Sequence, residues 1–484
     1  MHVRGEVNNY TRLFNAFEKQ KKYNEKKIIS SFRNERFVKQ FSVAKNYLYN
    51  LLLESLESFH ESAESKLNSA IERVDILYKK RLNDQAAKII SSAKKIALHY
   101  EKHLHYLALV QRELLLISAK RYAGTSEEEI AEVFQGAFSE IARVKNVFDY
   151  WQLNVETYYH IKQKGGYVRS DNDKKLFEKI IRHPLLIDKE KAGNFLSNYF
   201  YHVCLIGYYF STNDLILMHV HGVDLVNLLD TNPHLADEIP QSKINALLNL
   251  SIAQTGLKKY DEVALTIKKM RAISPSSEHM KNLIFEQSNT VEMQLLMITG
   301  QFEKALELFN HVEKIFSEAK QEVLFRHQMP VVYFYKAIVM FALDKPHESV
   351  KLLNLGFSEK NLDYRSDLHC FAKIFSLVVH YELENQDLLD YIIRSTYRYL
   401  LKRKRLYKFE TVVLNYIRKQ MPSVNSKKEL TSAFVGLKKE MMGLLKDPFE
   451  KNALEYFDYI SWLESKLQNR PFAEIVKEKS ETKN

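Results

Sequence analysis

Apolar side chains recur every three or four positions along most of the chain, from about residue 10 to about residue 468. This period matches the turn of an α-helix and places the apolar side chains on one face. Ser126 and Glu129 add a capping-box pattern, which predicts the start of a long helix towards Lys164. The segment from Glu35 to Phe59 shows the period clearly, with apolar residues at Phe37, Val38, Phe41, Ala44, Leu48, Leu51, Leu52 and Leu56. The pattern predicts an all-α protein.

Two interruptions of this period suggest how the chain is divided. The segment 164–173 (KGGYVRSDND) contains adjacent glycines and a polar cluster, which predicts a linker or hinge. A weaker break begins at Met421, and the residues after Pro471 are rich in Lys and Glu. The predicted organisation is a basic N-terminal helical cap at 1–60, N-terminal helical repeats at 61–163, the linker, a repeat array at 174–420, C-terminal capping helices at 421–470 and a frayed tail at 471–484.

An internal repeat is visible between residues 240 and 360. Its marker is a small or medium side chain in the second helix of each hairpin, at Val263, Ala305 and Ser349, which are 42 and 44 residues apart. A small side chain at a helix crossing lets two antiparallel helices approach closely. Each hairpin has two apolar faces that it cannot bury alone, so neighbouring hairpins are expected to stack. Further residues in register are Leu247, Leu250, Ser251, Tyr260, Ile267, Met270, Pro275, Gly300, Phe302, Phe309, Ala337, Pro346, Leu353 and Gly356.

These residues resemble the tetratricopeptide repeat, a two-helix hairpin. Weaker matches lie near 381–400 and in the N-terminal half, where Ala86, Ile90 and Ala93 occupy the packing positions. The chain departs from the family pattern at Gln254, Lys258, Val263 and Met270. Its period also exceeds the family's length of about 34 residues and overlaps that of HEAT and armadillo arrays. The resemblance implies antiparallel hairpins stacked into a right-handed α-solenoid.

Composition excludes several other classes of protein. With 13 Gly and 9 Pro among 484 residues, the chain lacks the turn residues of a β-rich fold and the glycines of a dinucleotide-binding domain. Cys204 and Cys370 are the two cysteines, which argues against a disulfide framework and favours the cytoplasm. The longest apolar run, Val331 to Leu343, is interrupted by Lys336 and is too short to span a membrane.

No catalytic, cofactor-binding or metal site is predicted. Cys204 lies two positions from His202, on the opposite side of a helix, so a buried core cysteine is favoured over a nucleophile. His99 and His103 share a helix face, but a metal site there would need a third ligand from another helix, so a solvated face is favoured. The side chains of His219 and His221 point apart on a predicted helix, so these two alone are poor chelators. The sequence therefore predicts that the protein is not an enzyme.

Positive charge is concentrated in two segments. The net charge is +11, whereas residues 1–50 carry +7 and residues 391–420 carry +8, so the rest of the chain is slightly acidic. In the second segment, successive cations are four, four and three residues apart at Arg394, Arg398, Lys402 and Arg405. This spacing predicts one cationic helix face, and tyrosines are interleaved with it. The candidate partner-binding residues are Arg394, Arg398, Lys402, Arg403, Lys404, Arg405 and Lys408. A solvated helix end, an acidic protein partner and a nucleic acid all remain open.

The function expected from the sequence is binding of a protein or peptide, with no cofactor and no membrane. Some tetratricopeptide-repeat proteins hold peptide carboxylates with Lys and Asn on the first helices of their repeats. The resemblance places Leu248, Ile252, Thr290, Gln294, Phe334 and Ile338 at such positions, which implies a concave surface that prefers apolar or mixed ligands. The alternative is a nucleic-acid-associated or peptide-sensing regulator that uses the two basic segments. For the N-terminal segment, a module that caps the first repeat is favoured over a DNA-reading helix.

Overall fold

The computed structural model describes residues 9–20, 23–59, 62–164, 166–318, 329–357, 366–402, 406–420, 427–447, 449–450 and 457–482. The regular secondary structure within these ranges is helical, without any strand, which confirms the all-α prediction. None of the helices in the described ranges is both long and apolar enough to cross a membrane. The chain divides into two compact units, Met1–Ala142 and Arg143–Asn484.

The first unit contains two groups of helices, each with its own apolar cluster. One cluster lies within residues 9–59, around Leu13 and Ile28, and the other lies within residues 62–142, around Leu67 and Leu109. The predicted capping box is present, because Ser126 and Glu129 exchange backbone-to-side-chain hydrogen bonds at the start of the helix that begins at Glu127. The helices are α1 (Asn9–Glu18), α2 (Glu25–Ser31), a 3-10 turn (Arg36–Gln40), α3 (Phe41–Phe59), α4 (Ala63–Lys79), α5 (Asn83–His99), α6 (His103–Ala119) and the first part of α7 (Glu127–Lys164).

The second unit continues from α7 through seventeen further helices in the described ranges. They are α8 (Asp171–Ile181), α9 (Pro184–Ile187), α10 (Phe195–Thr212), α11 (Leu215–Thr231), α12 (Pro233–Ala236), α13 (Ser242–Gly256), α14 (Tyr260–Arg271), α15 (Glu278–Ile298), α16 (Phe302–Glu318), α17 (Met329–Ala342), α18 (Pro346–Gly356), α19 (Ser366–Glu382), α20 (Gln386–Lys402), α21 (Lys408–Asn415), α22 (Lys427–Leu444), α23 (Tyr459–Gln468) and α24 (Phe472–Glu481). Short turns of 3-10 and π-helix occur at Lys189–Lys191 and Tyr416–Gln420.

Successive helices pack against their neighbours in chain order. From α13 to α20 they form four hairpins, and the first helices of these hairpins, α13, α15, α17 and α19, also contact one another in sequence. The predicted packing positions Val263, Ala305 and Ser349 have no exposed surface, and neither has Ala86 in the first unit. These side chains are therefore enclosed in the packing of the helices, as the sequence predicted.

The two helices of each hairpin are joined by a short turn with one residue in the left-handed conformation. This residue is Lys258, Gly300, Asp344 or Glu384, with φ between 54° and 70°. In the second hairpin, α15 ends at Ile298, and the Gln301 N–H donates back to the Leu296 carbonyl at 2.8 Å. Of these four turn positions, position 300 is occupied by glycine. A Cβ at Gly300 would lie 2.8 Å from the backbone of Lys477 in α24, so there is no room for a larger side chain.

Two expectations about domain organisation differ from the structure. The division between the units falls after Ala142, inside α7, and not in the expected linker at 164–173. Within that segment the Val168 N–H donates to the Ser211 carbonyl at 2.9 Å, and Arg169 is buried, so these residues are held by the second unit.

The tail beyond Pro471 was expected to be frayed, and this is wrong for residues 472–481. They form α24, which buries Ile475 and Val476. Val476 joins the apolar cluster that contains Phe302 and Phe309 of α16. Phe472 packs with them, its ring centre 6.0 Å from that of Phe302, so a few apolar side chains dock this short charged helix.

Candidate functional site

The predicted cationic residues begin on α20, the second helix of the last hairpin. Arg394, Arg398 and Lys402 are exposed there, and the opposite face of the helix buries Leu389, Ile393 and Leu400. The three cations therefore form one solvent-facing row, which we call the α20 row. Arg403, Lys404 and Arg405 lie outside the described residues.

The α20 row combines positive charge with apolar surface. Asp390 lies 3.9 Å from Arg394 as an exposed pair one helical turn away, a type of contact that contributes only about 0.3–0.5 kcal/mol. The Arg398 Nε donates to the Arg394 carbonyl at 3.3 Å. Exposed apolar and aromatic side chains lie on the same helix at Leu388, Tyr391, Tyr397 and Leu401. The row therefore retains most of its charge and could contact a partner through both charge and apolar area.

Lys408 has a different environment from the α20 row. It begins α21, and its Nζ lies 2.6 Å from the Asp447 carboxylate, which raises the pKa of Lys408. The residue lines an open cleft of about 680 Å³ together with Arg169, Tyr407 and Glu450. Because its charge already has a partner, Lys408 contributes less to an outer cationic surface than its place in the sequence suggests.

Arg169 lies against this cleft and joins three distant parts of the chain. Its Nη2 lies 2.8 Å from Glu450 and 3.4 Å from Glu410, and all three side chains are buried. Its guanidinium also lies 4.0 Å from the centre of the Tyr407 ring. Glu450 accepts from the N–H groups of Lys408 and Phe409, which have no partner inside the first turn of α21. Burial raises the pKa of Glu410. The guanidinium and the two carboxylates compensate one another's charge, although the buried Arg169 Nε has no hydrogen-bond partner among the described residues. Removal of one partner would leave an uncompensated buried charge, so the cluster is read as part of the fold.

The positions predicted to line a groove on the first helices differ in accessibility. Phe334 and Ile338 of α17 are buried, and Phe334 packs edge-on against Phe375 of α19. The expectation that they face a ligand is therefore wrong, because the aromatic ring serves the contact between successive hairpins. The other four positions, Leu248, Ile252, Thr290 and Gln294, are partly buried.

An aromatic groove of about 550 Å³ was not predicted from the sequence. Trp151 of α7 stacks on Phe200 of α10, with ring centres 5.6 Å apart, and remains about half exposed. The loops before α13 and α15 complete the groove, which is also lined by Tyr199, Ile239, Pro240 and Met280. Four separate elements contribute to it, so helical periodicity could not reveal it.

The structure also brings together residues that the sequence had paired differently. The Nδ1 atoms of His202 in α10 and His221 in α11 lie 3.2 Å apart, and a ligand oxygen of Asp224 lies within 4.8 Å of the ring nitrogens. Burial lowers the pKa of His202 to about 3 and also lowers the pKa of His221. Both rings are therefore uncharged at neutral pH. His219, the sequence neighbour of His221, instead lies 3.2 Å from Glu262 of α14.

Of the remaining candidate nucleophile and ligands, Cys204 and His103 are buried, whereas His99 is exposed. Burial raises the pKa of the Cys204 thiol to about 12, so it is protonated at neutral pH and not activated as a nucleophile. His103 is buried and lies 2.5 Å from Glu140 of α7. Its nearest carboxylate partner thus comes from another helix and not from the face that it shares with His99.

Comparison with known proteins gives no family for this chain. No model of a known protein family matches it, and no curated protein matches it significantly.

Proposed function

We propose that this chain is a non-enzymatic helical-repeat protein that binds an acidic segment of a partner protein. In this proposal the hairpins form a tetratricopeptide-like, right-handed α-solenoid, and the protein works in the cytoplasm. The observation that carries the proposal is the α20 row, where exposed cations alternate with exposed tyrosine and leucine side chains. The in-order contacts of the hairpins support the repeat architecture.

The chemistry of the α20 row favours a polypeptide partner over a nucleic acid. A peptide with carboxylates and apolar side chains would match both the arginines and the exposed Tyr391 and Leu401. Asp390, which is exposed in the same row, would repel a regularly spaced row of phosphates. The nucleic-acid alternative is favoured by one observation, the two exposed tyrosines beside arginines, on which bases could stack.

The proposal can be tested with defined probes on the full chain. Binding of a fluorescent glutamate–tyrosine copolymer and of a thymidine oligonucleotide would be compared by fluorescence anisotropy at several salt concentrations. The double variant Arg394→Gln/Arg398→Gln should bind the copolymer at least about tenfold more weakly, a loss of about 1.4 kcal/mol. The matched control is Lys268→Gln/Lys269→Gln, which removes the same charge from the exposed face of α14 and should bind normally.

Two outcomes would contradict the proposal. Equal losses in both double variants would mean that only net charge matters and that the α20 row is not a specific surface. Tighter binding of the oligonucleotide, with log affinity falling steeply against log salt, would favour the nucleic-acid alternative.

A further inference from the structure

We infer that His202, His221 and Asp224 form a binding site for a divalent transition-metal ion of the zinc type, held between α10 and α11. Two imidazoles and one carboxylate are a ligand set that such ions accept. This site is independent of the α20 row and of the proposed peptide binding.

The spacing of the ring nitrogens fits a shared ion. Zinc–nitrogen bonds of about 2.0–2.1 Å in tetrahedral geometry place two nitrogen ligands roughly 3.3 Å apart, and the two Nδ1 atoms here are separated by 3.2 Å. Asp224 follows His221 by three residues, so both side chains lie on the same face of α11. Its ligand oxygen lies within 4.8 Å of the nitrogens, and a side-chain rotation of this partly exposed residue would bring it closer.

The surroundings favour the protonation state that a metal requires. Metal ions bind neutral imidazole, and burial lowers the pKa of both rings, that of His202 to about 3. Tyr209 stacks on His221 at an angle of 7°, and Tyr201 meets His202 edge-on, so aromatic rings fix the orientation of the ligands. The Lys189 charge opposes a cation here, whereas the Asp224 carboxylate attracts it. Three protein ligands leave a fourth position for water.

The competing explanation is a simple hydrogen bond between the two imidazoles, with one Nδ1 as donor and the other as acceptor. Cobalt(II) separates the two explanations, because a tetrahedral site gives it strong visible absorption bands. The tag-free full chain would be treated with a chelator, titrated with Co²⁺ and then with Zn²⁺. We expect one Co²⁺ bound per chain, displaced by Zn²⁺, and a higher melting temperature with Zn²⁺ than without it.

Variants on α11 locate the ion. His221→Gln and Asp224→Asn should each weaken Co²⁺ binding at least about tenfold, whereas His219→Gln, two residues from His221, should bind as the native chain does. Both replaced residues are only partly buried, and circular dichroism checks that the variants fold. Absence of the absorption bands, or equal affinity in His221→Gln and the native chain, would overturn the inference in favour of the hydrogen bond.

Discussion

The two units differ in how far apart in sequence their contacting residues lie. In the first unit, the pairs Arg112–Asp75 and His103–Glu140 each join residues 37 positions apart, which corresponds to helices close together in the chain. In the second unit, Arg169 and Glu450 are 281 positions apart, and α24 packs against the turn at Gly300.

Stacking of neighbouring helices therefore does not explain the second unit completely. A chain of local contacts can lose one contact and keep the others, since each hairpin depends mainly on the next. Contacts between remote segments concentrate stability in a few positions. Replacements at those positions should therefore have larger effects than matched replacements in the first unit.

The largest effect is expected for Arg169→Met. Removal of the guanidinium leaves Glu410 and Glu450 buried beside each other without a cation, which should cost about 3–5 kcal/mol. Trp151 and Trp462 both lie in the second unit, so urea unfolding followed by tryptophan fluorescence reports on that unit.

The matched control for this prediction is Arg112→Met in the first unit. Arg112 bonds Asp75 through two nitrogens, but both side chains are partly exposed, so the loss should be at most about 1 kcal/mol. Hydrogen exchange of the backbone amides of α4 to α6 would measure this loss of stability in the first unit. Similar losses for the two variants would contradict the proposed difference between the units.

A smaller effect is expected for Gly300→Ala, roughly 2–4 kcal/mol. The new Cβ would adopt a positive φ of 70° and meet the Lys477 backbone at 2.8 Å, so conformational strain and displacement of α24 add together. Gly124→Ala is the control, because Gly124 has a φ of 76° but nothing within 4 Å. It should cost only about 1–2 kcal/mol. Limited proteolysis of α24 should accelerate in the first variant alone; equal protection in both would show that the contact is dispensable.

Acid should weaken the second unit through His202, which faces another imidazole, whereas His103 in the first unit faces a carboxylate. The pKa of His202 is about 3 in the folded chain and about 6.5 in an unfolded one. Below about pH 6.5 the unfolded state therefore binds a proton that the folded state does not. The free energy of unfolding should fall by up to about 1.4 kcal/mol per pH unit, or roughly 1–2 kcal/mol at pH 5.

Urea unfolding at pH 7 and pH 5, in the presence of a chelator, would measure this loss by tryptophan fluorescence. His202→Gln should reduce the pH dependence, and His219→Gln should leave it unchanged. An unaltered pH dependence in His202→Gln would assign the acid sensitivity to other groups.

The smallest effect is expected for the α20 row. Arg394→Gln/Arg398→Gln should change the free energy of unfolding by less than about 0.5 kcal/mol, because both side chains are exposed and make only local contacts. The same urea titration checks this. A loss of several kcal/mol would mean that these arginines stabilise the fold and are poor candidates for partner binding.

The sequence predicted the local features of the fold well. Val263, Ala305 and Ser349 were identified as packing positions from their spacing, and each is fully buried. The start of α7 was predicted from the capping-box pattern of Ser126 and Glu129, and the structure contains the corresponding hydrogen bond. The capping box depends on residues within one helical turn, and the packing positions recur at a regular interval along the chain, so the sequence pattern contains the information.

Contacts between remote segments were not predictable in this way. Nothing near Arg169 in the sequence indicates that Glu410 and Glu450 lie beside it. His221 was compared with His219 on its own helix, whereas its closest histidine comes from α10. The docking of α24 was missed because Ile475 and Val476 stand among many charged residues. To predict any of these three contacts, one must know which helices pack against each other, and local periodicity does not contain that information.

The packing of α24 against Gly300 also has a consequence for folding during synthesis. Ribosomes add roughly 5–20 residues per second, and about 330 residues separate Ala142 from Phe472. The helices of the first unit are thus all available some 20 seconds to a minute before α24 emerges. Until then the turn at Gly300 and the apolar side chains of α16 lack their last covering helix, and chaperones have a defined surface to protect.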